Sequence, residues 1–205
     1  MSNRSPSPYP PPGRPSPGAD EQGLVAAVCA DDRSAMAEAL RLAGLCAVSG
    51  DVPVGAIVVE ADGTVLGRGW NLREAQADPT AHAEVVALRR ASATAGRWRL
   101  EGCTLVVTLE PCLMCAGAIM AARVARLVFG AWDPKAGACG SVWDVLRDRQ
   151  ALHRPEVLGG VGQAESAELL AAFFRPRRGG PDTTTRPLAP PKAGASIQFV
   201  PMAGA

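Results

Sequence analysis

TLVVTLEPCLMCAG, residues Thr104–Gly117, combines the pattern of a buried strand with the start of a helix. Thr104–Leu109 is a nearly continuous apolar run, which is typical of a strand covered on both faces at the centre of a sheet. Pro111 suits the first turn of a helix, because an N–H at that position has no partner inside the helix. We expect this helix to run to about Ala122. A central strand that leads directly into a helix indicates an α/β fold.

The pattern continues upstream with a helix and a hairpin. Asp32 is a suitable N-cap for a first helix that ends near Gly50. Val54–Glu60 and Thr64–Trp70 have the character of two strands, and Gly63 between them suits a hairpin turn. One face of the first helix would carry Met36, Leu40, Ala43 and Ala47.

Helices and strands also alternate between the hairpin and the C-terminal part of the chain. They are a second helix that begins at Asp78-Pro79 and stops at Gly96, strands at Val124–Gly130 and Val157–Val161, a helical turn at Ser141–Arg147 and a last helix at Ala164–Phe174. Five strands that alternate with helices on this scale predict an α/β sheet with helices on its faces.

The prolines separate a folded region from two tails. Thirteen of the eighteen prolines lie either in residues 1–18 or from Pro176 to the C-terminus. Segments of this composition have too few apolar side chains to bury a core. We therefore predict one catalytic domain at residues 31–178, a disordered Pro-rich extension at 1–30 and a disordered tail with Pro and Arg at 179–205.

Charge and cysteine content exclude several classes of protein. The net charge of +1 excludes nucleic-acid binding by overall positive charge alone, although residues 175–205 carry five basic side chains against one acidic. No apolar run approaches the roughly 20 residues that a membrane span needs. Six cysteines in 205 residues are too few for a disulfide scaffold. We expect reduced thiols and a cytoplasmic location.

Four side chains at the predicted starts of the second and third helices could carry chemistry. Cys112 and Cys115 are three residues apart, which places both thiols on one helix face. A helix N-terminus also favours the thiolate, the form that binds metal. His82 and Glu84 are two residues apart and can face one site only at the first turn of a helix.

One histidine and two cysteines offer three zinc ligands, and a catalytic zinc keeps its fourth position for water. Glu84, an unliganded carboxylate beside the histidine, could accept a proton from that water. This combination is the chemistry of hydrolytic deamination. The pairing of His-Ala-Glu with Pro-Cys-x-x-Cys is also the known signature of zinc-dependent deaminases, so the match is one of resemblance.

Two simpler interpretations of the same residues remain open. The Cys-x-x-Cys pair alone could be a redox dithiol. A structural zinc would instead be closed by a fourth protein ligand. The remaining cysteines and histidine that could supply that ligand are Cys29, Cys46, Cys103, Cys139 and His153.

From about Met36 to Arg178 the chain resembles bacterial tRNA-specific adenosine deaminases of the cytidine-deaminase-like superfamily. The resemblance rests on the segments Asp51–Ala56, Gly69–Asn71, Asp78–Glu84, Thr108–Gly117, Val128–Asp133, Gly140-Ser141 and Phe173–Arg175. It implies a three-layer α/β/α fold with a mixed five-stranded central sheet and one Zn²⁺ per subunit. It further implies a homodimer that converts adenosine to inosine at the wobble position of a tRNA anticodon stem-loop.

The resemblance also implies roles for individual residues. The zinc ligands would be His82, Cys112 and Cys115. Glu84 would take a proton from the attacking water, pass it to N1 of adenine and then protonate the departing amino group. Asn71 would hydrogen-bond the flipped nucleoside, and the backbone at Ala83 would line its pocket. The residues that would approach the anticodon loop are Asp133, Lys135, Phe174, Arg175 and the basic residues up to Arg178.

The chain departs from its relatives at Leu72 and Trp132, where arginine is common, and each change removes a potential phosphate contact. Phe173 and Phe174 are adjacent on a helix, so we expect one in the core and the other free to stack on a base.

Two other functions compete with the leading one. A deaminase of free bases or nucleosides, such as guanine or cytosine, is disfavoured by the basic C-terminal end. In a non-enzymatic zinc-binding RNA module, Glu84 would have no role beside the ligand histidine.

Overall fold

The predicted central strand lies in the middle of the sheet. A computed structural model describes the backbone of residues 30–175 and the side chains from Asp32 onward. Within that range the sheet has five strands in the order β2-β1-β3-β4-β5, with β1 antiparallel to β2 and β3, and with β3, β4 and β5 parallel. The strands are β1 (Gly55–Val59), β2 (Val65–Trp70), β3 (Thr104–Leu109), β4 (Arg126–Ala131) and β5 (Glu156–Gly159). The predicted mixed five-stranded sheet is confirmed.

Helices cover both faces of this sheet. They are α1 (Ala30–Ala43), α2 (Arg73–Gln76), α3 (Ala83–Ala95), α4 (Leu113–Ala122) and α5 (Gln163–Phe174), with a short 3-10 helix at Gly44–Ala47. Val106 of β3 packs in the cluster that includes α1, whereas its neighbours Leu105 and Val107 pack in the cluster that includes α3 and α4. Helices on both faces explain why β3 is apolar at successive positions, as the sequence indicated. Full burial of each such side chain stabilises the fold by about 1.5–3 kcal/mol.

Helix α3 packs unusually closely on β2. A Cβ atom at Gly69 would lie 2.2 Å from the backbone oxygen of Ala83, and one at Gly67 would lie 2.3 Å from that of Ala87. Real Cβ atoms are not found at such distances, so only glycine allows the helix and the strand to approach this closely. The first turn of α3 is therefore held directly against the backbone of the sheet.

The prediction that Asp32 caps the first helix is wrong. Helix α1 already includes Ala30, so Asp32 lies within it. The Asp32 carboxylate is buried and accepts hydrogen bonds from the Arg126 guanidinium, with Nη2 to Oδ2 at 2.9 Å. The expected end near Gly50 is also wrong, because the α-helix ends at Ala43 and Ala47 is exposed.

Two further element starts differ from the predictions. The second long helix begins at Ala83, because Asp78 and Pro79 form a turn in which the Asp78 carboxylate accepts the Thr80 N–H at 2.8 Å. The third begins at Leu113, two residues after Pro111. The predicted helical turn at Ser141–Arg147 is absent. That stretch forms turns, because the N–H groups of Trp143 and Val145 donate to the carbonyl oxygens of Gly137 and Ala138, each at 3.1 Å.

The last strand and helix lie within one or two residues of their predicted positions. None of the helices within residues 30–175 has the length and apolar character needed to cross a membrane. The disorder predicted for residues 1–30 and 179–205 falls, apart from Ala30, outside the described residues. Those predictions and the exact domain boundaries stay predictions.

Candidate active site

Two helix N-caps meet at the carboxyl end of the central strand. His82 precedes α3 with φ −70° and ψ 152°, and Cys112 precedes α4 with φ −74° and ψ 175°. Neither side chain makes a capping hydrogen bond to its own helix, so each is available for another partner. Because His82 lies before the helix and Glu84 lies within its first turn, these two residues face the same cavity despite being two apart.

His82, Cys112 and Cys115 form a cluster with the geometry of a metal site. The Nδ1 atom of His82 lies 3.5 Å from Sγ of Cys115 and 3.7 Å from Sγ of Cys112. All three ligand atoms lie within 4.8 Å of one another. In a tetrahedral zinc site, usual bond lengths place a nitrogen and a sulfur ligand about 3.6 Å apart. The donor atoms and their spacing therefore fit zinc.

This cluster contains three protein ligands. Within residues 30–175, no fourth histidine, cysteine or carboxylate joins it. Cys46 instead has its thiol directed at the carbonyl oxygens of Val54 and Asn71, and His153 Nε2 contacts the Val124 carbonyl oxygen at 2.6 Å. Cys29 lies outside the described residues. The arrangement favours an open metal site over a closed structural zinc, and the histidine nitrogen beside both thiols favours metal binding over a redox dithiol.

The local electrostatics suit a cation at this point. Hydrogen bonds with Cys115 and His82 lower the pKa of Cys112 to about 3. The hydrogen bond with Cys112 raises the pKa of His82. The neighbouring Cys112 thiolate and burial together raise the pKa of Cys115. Without a metal, the Cys112 thiolate disfavours a second thiolate at Cys115. A divalent cation would remove this effect, because it stabilises both sulfurs as thiolates.

Glu84 is a buried carboxylate in the same cavity. Its side chain is only 4% exposed, and burial raises its pKa. A carboxylate with a raised pKa is a better proton carrier near neutral pH than an exposed one. Its position next to the ligand cluster thus gives the cavity a proton acceptor that is separate from the metal ligands.

The cavity has a volume of about 160 Å³ and brings together most of the predicted site residues. Its lining residues are Val52, Val54, Asn71, Arg73, His82, Ala83, Glu84, Leu109, Glu110, Cys112, Asp133 and Ala136. The predicted substrate contacts Asn71, Ala83 and Asp133 therefore lie beside the ligands and Glu84. Phe174 and Arg175 are not part of this lining.

Asn71 carries an unused acceptor. The residue is 7% exposed, and its Nδ2 atom donates to the Val52 carbonyl oxygen at 3.3 Å. Its Oδ1 atom is buried without a hydrogen-bond partner. A buried polar atom left in this state costs about 1–3 kcal/mol. An acceptor without a partner is expected in a site where a bound ligand supplies the hydrogen-bond donor.

A second cavity of about 400 Å³ adjoins the first. The two share Val52, Asn71 and Arg73, and Phe173 and Phe174 line the second one. Their rings lie 5.0 Å apart at an angle of 84°. The expectation that one of these rings is in the core is wrong, because Phe173 is half-buried and Phe174 is 43% exposed. Arg175 is exposed at the end of α5, and the arginines at 177 and 178 lie outside the described residues.

The site also includes Arg73 and Glu110, which the sequence did not predict. Arg73 lines both cavities, and it begins α2, where the Asp51 carboxylate accepts the Glu74 N–H at 2.8 Å and the Ala75 N–H at 3.3 Å. A basic residue two positions after Asn71 was the available signal for Arg73. Glu110 had no local signal, because its hydrogen-bond partners are 23 or more residues away.

The two departures from the family pattern have structural roles. Leu72 is buried in a small cluster with Ala81 and Val86, which fixes the turn after β2. The ring of Trp132 packs edge-on against Phe129 with centroids 4.7 Å apart, and it is not part of either cavity lining.

Comparison with known proteins agrees with this geometry. Residues 29–131 match the model of the cytidine and deoxycytidylate deaminase zinc-binding region. A tRNA-specific adenosine deaminase of Haemophilus influenzae is 47% identical over 147 residues, which cover 72% of this chain and 85% of the relative. The chain belongs to the tRNA-specific adenosine deaminase family. Its cofactor is accordingly zinc, for which the three-ligand cluster supplies the donor atoms.

The chain is also similar to a solved structure and to part of a longer enzyme. A solved structure from studies of A-to-I editing by tRNA:A34 deaminases at the wobble position is 43% identical, with a TM-score of 0.65 over 67% of this chain and 99% of the other. A tRNA(Ile)-lysidine synthase of Deinococcus radiodurans is 48% identical over 172 residues. The chain spans only 29% of the length of that synthase. The match to the solved structure confirms the predicted α/β fold of the superfamily.

Proposed function

We propose that the protein deaminates adenosine to inosine at the wobble position of a tRNA anticodon. The observation that carries this proposal is the buried Glu84 beside a three-ligand cluster, in a cavity that also holds the unpartnered Oδ1 of Asn71. The family and the solved tRNA:A34 deaminase support the same substrate. A non-enzymatic RNA module would have no use for the buried carboxylate.

When bound by His82, Cys112 and Cys115, zinc supplies Lewis-acid activation of water. Glu84 accepts a proton from the water that attacks C6 of adenine and delivers it to N1. It then carries the second proton to the departing amino group, so that ammonia and inosine are released. Because Glu84 is buried, the proton is moved inside the cavity, away from bulk solvent.

Asn71 and Ala83 orient the nucleoside in this proposal. The Oδ1 atom of Asn71 accepts a hydrogen bond from a donor of the bound nucleoside. Ala83 is the first residue of α3, where a backbone N–H has no acceptor inside the helix and is available to the purine. These two contacts hold C6 of the base beside the ligand cluster and N1 beside Glu84.

The second cavity is the proposed site for nucleotides that flank the wobble base. It joins the first cavity at Asn71 and Arg73 and presents the exposed ring of Phe174. Proteins recognise single-stranded RNA loops by stacking bases on aromatic rings and by placing cations near phosphates. We assign stacking to Phe174 and phosphate contacts to Arg73 and Arg175. We assign further contacts with the anticodon loop to Asp133 and Lys135, which follow β4 in the chain.

The predicted homodimer has a candidate interface on the outer face of α3 and α4. An apolar groove of about 430 Å³ is lined by Val85, Leu88, Arg89, Ser92, Trp98, Ala118, Ala121 and Ala122. Trp98 is 62% exposed, and Leu113, next to the ligand Cys112, is 50% exposed. A second copy of the chain is the proposed occupant, as in the dimer that the family resemblance implies. The substitution Ala121→Glu should yield monomers in sedimentation velocity, whereas Ala37→Glu on α1 should leave dimers.

A cytoplasmic location follows from the proposed tRNA substrate.

The alternative function, deamination of free guanine, cytosine or their nucleosides, makes a different prediction. Such an enzyme would release ammonia from the free compound and leave the stem-loop RNA unchanged.

The decisive experiment measures inosine formation in an anticodon stem-loop with a wobble adenosine. Wild type should convert it, and the same stem-loop with guanosine at that position should give no product. Glu84→Ala should abolish conversion while zinc content stays at one per chain. Glu168→Ala, a matched change at an exposed glutamate of α5, should retain activity. Conversion that survives Glu84→Ala would overturn the mechanism, and turnover of free bases alone would favour the alternative.

A further inference from the structure

Glu110 is a second buried carboxylate near the active site, and its role differs from that of Glu84. It directly follows β3, precedes the ligand Cys112 by two residues and is 2% exposed. Its Oε1 atom accepts the N–H of Cys139 at 2.9 Å and that of Ser141 at 3.0 Å. Its Oε2 atom accepts the N–H of Asp133 at 3.0 Å and the Ser141 hydroxyl. Both oxygens are engaged, so this carboxylate is not a free proton acceptor.

All four donors belong to one stretch of chain, residues 133–141, which we term the wall segment. Glu110 binds it at both ends, and Pro111 holds its middle, because the Pro111 carbonyl oxygen accepts the Ala138 N–H at 2.8 Å. Asp133 and Ala136 of the wall segment line the active-site cavity. The wall segment therefore has its position set by the same residues that lead into the ligand helix.

Gly137 provides an independent sign that the sequence reserves space for this carboxylate. A Cβ atom at Gly137 would lie 2.3 Å from Oε2 of Glu110 and 2.6 Å from the Asp133 carbonyl oxygen. Any larger residue would force the carboxylate or the turn to move. The wall segment thus contacts Glu110 with its backbone and lines the cavity with Asp133 and Ala136.

We propose that Glu110 is a positioning residue that fixes the wall segment as one side of the nucleotide pocket. It acts through Asp133 and Ala136, without touching the reacting atoms. The activity readout of this inference rests on the proposed deaminase function. A group that only stabilised the fold would change the folded fraction, whereas a positioning residue changes catalysis by the folded, zinc-loaded enzyme.

Glu110→Gln is the sharpest test, because either orientation of the amide places its NH₂ group against a main-chain N–H. In the zinc-loaded protein, hydrogen exchange should become faster at the amides of Asp133, Cys139 and Ser141. Zinc content should stay at one per chain. The value of kcat/KM on the wobble-adenosine stem-loop should fall by about 10- to 100-fold, the scale expected for a displaced substrate.

Gly137→Ala disturbs the same contact from the other side and guards against a misfolded Glu110→Gln variant. It should reproduce the exchange and kinetic changes. Gly44→Ala is its control, because a Cβ atom there has no neighbour within 4 Å. In a double-mutant cycle, the double variant should lose no more kcat/KM than the more affected single variant, since both changes break one contact.

Three outcomes would overturn the inference: unchanged amide exchange, unchanged kcat/KM despite lost protection, or additive losses in the double variant. A wild-type enzyme without activity on the stem-loop would contradict the proposed function instead. In that case the exchange measurement would still decide whether Glu110 holds the wall segment.

Discussion

The Nδ1 atom of His82 lies 3.5 Å from the Sγ atom of Cys115, although 33 residues separate them in the chain. The contact joins the first turns of α3 and α4, which pack beside each other on one face of the sheet. The two residues meet because both helices begin at the same edge of the sheet, α4 shortly after β3 and α3 after β2 and the short helix α2. The metal site is therefore assembled by the fold and is not a local feature of one segment.

His82→Ala should lower zinc content from one per chain to a small fraction and abolish deamination. Removal of one of three protein ligands leaves two thiolates, which cannot form the open site that zinc catalysis needs. The chain offers a matched control, since His153 is its second histidine and contacts a carbonyl oxygen outside the cluster. His153→Ala should retain zinc, as measured by metal analysis after exhaustive dialysis. Equal zinc loss in both variants would contradict the assignment of His82.

Asn71→Ala should reduce kcat/KM on the stem-loop by about 10- to 100-fold, because a hydrogen bond to the nucleoside is lost in a buried site. The folded state should change little, since the orphaned Oδ1 atom is removed together with one hydrogen bond to Val52. Gln76→Ala, an exposed amide on the neighbouring α2, is the control for steady-state kinetics. If the two variants behave alike, Asn71 does not contact the nucleoside.

Arg73→Ala should weaken binding of the stem-loop and flatten its dependence on salt. Each phosphate contact to single-stranded nucleic acid contributes about 0.7 to the slope of log affinity against log salt concentration. The slope should therefore decrease by about this amount, and Arg73→Lys should restore it in part. Fluorescence anisotropy over a salt series measures both. Arg33→Ala on α1 is the matched control, and an equal slope change there would show that the effect is one of net charge.

Glu38 provides a prediction on stability and pH. Hydrogen bonds from Arg41 at 2.8 Å and Arg68 at 3.0 Å lower its pKa from 4.5 to about 2. A carboxylate with a depressed pKa stabilises the folded state above its unfolded pKa, and this contribution is lost as the pH falls toward the folded value. Glu38→Gln should thus cost up to about 1 kcal/mol near neutral pH, the usual limit for exposed pairs.

The difference between wild type and Glu38→Gln should narrow as the pH falls from 4.5 to about 2. Urea denaturation of both proteins across this range gives the free energies of unfolding. Glu168→Gln, at an exposed glutamate of α5, is the control for the same change of side chain. A gap between wild type and Glu38→Gln that stays constant with pH would count against the ion pair as its cause.

The features that the sequence predicted correctly depend on near neighbours. The apolar run of β3 and the spacing of Cys112 and Cys115 are both contained in fourteen residues. His82 and Glu84 could be assigned together because a helix start is the one place where residues two apart share a side. The resemblance to a known family then supplied Asn71, Ala83 and Asp133, which the structure brings to one cavity.

The features that the sequence did not predict depend on hydrogen-bond partners that the local pattern does not identify. Asp32 has the side chain of a good N-cap, but its actual partner is Arg126, 94 residues away. Asp78-Pro79 has the pattern of a helix start, yet the Asp78 carboxylate binds Thr80 within a turn. Ser141–Arg147 has no helix because the N–H of Val145 donates to the Ala138 carbonyl oxygen, whereas a helix would need it to donate to the Ser141 carbonyl oxygen. Local patterns carry no information on such competing acceptors.

The bare backbone of β2 beneath α3 has a consequence for how the enzyme can change. Gly69 lies against the carbonyl oxygen of Ala83, the residue between His82 and Glu84, so main-chain atoms alone set the distance from the sheet to these two side chains. At these positions of β2, the geometry of the active site requires only that no side chain be present. The Arg68 side chain, between these glycines, lies on the α1 side of the sheet and pairs with Glu38. Changes on that side can therefore alter stability while the reaction geometry stays the same.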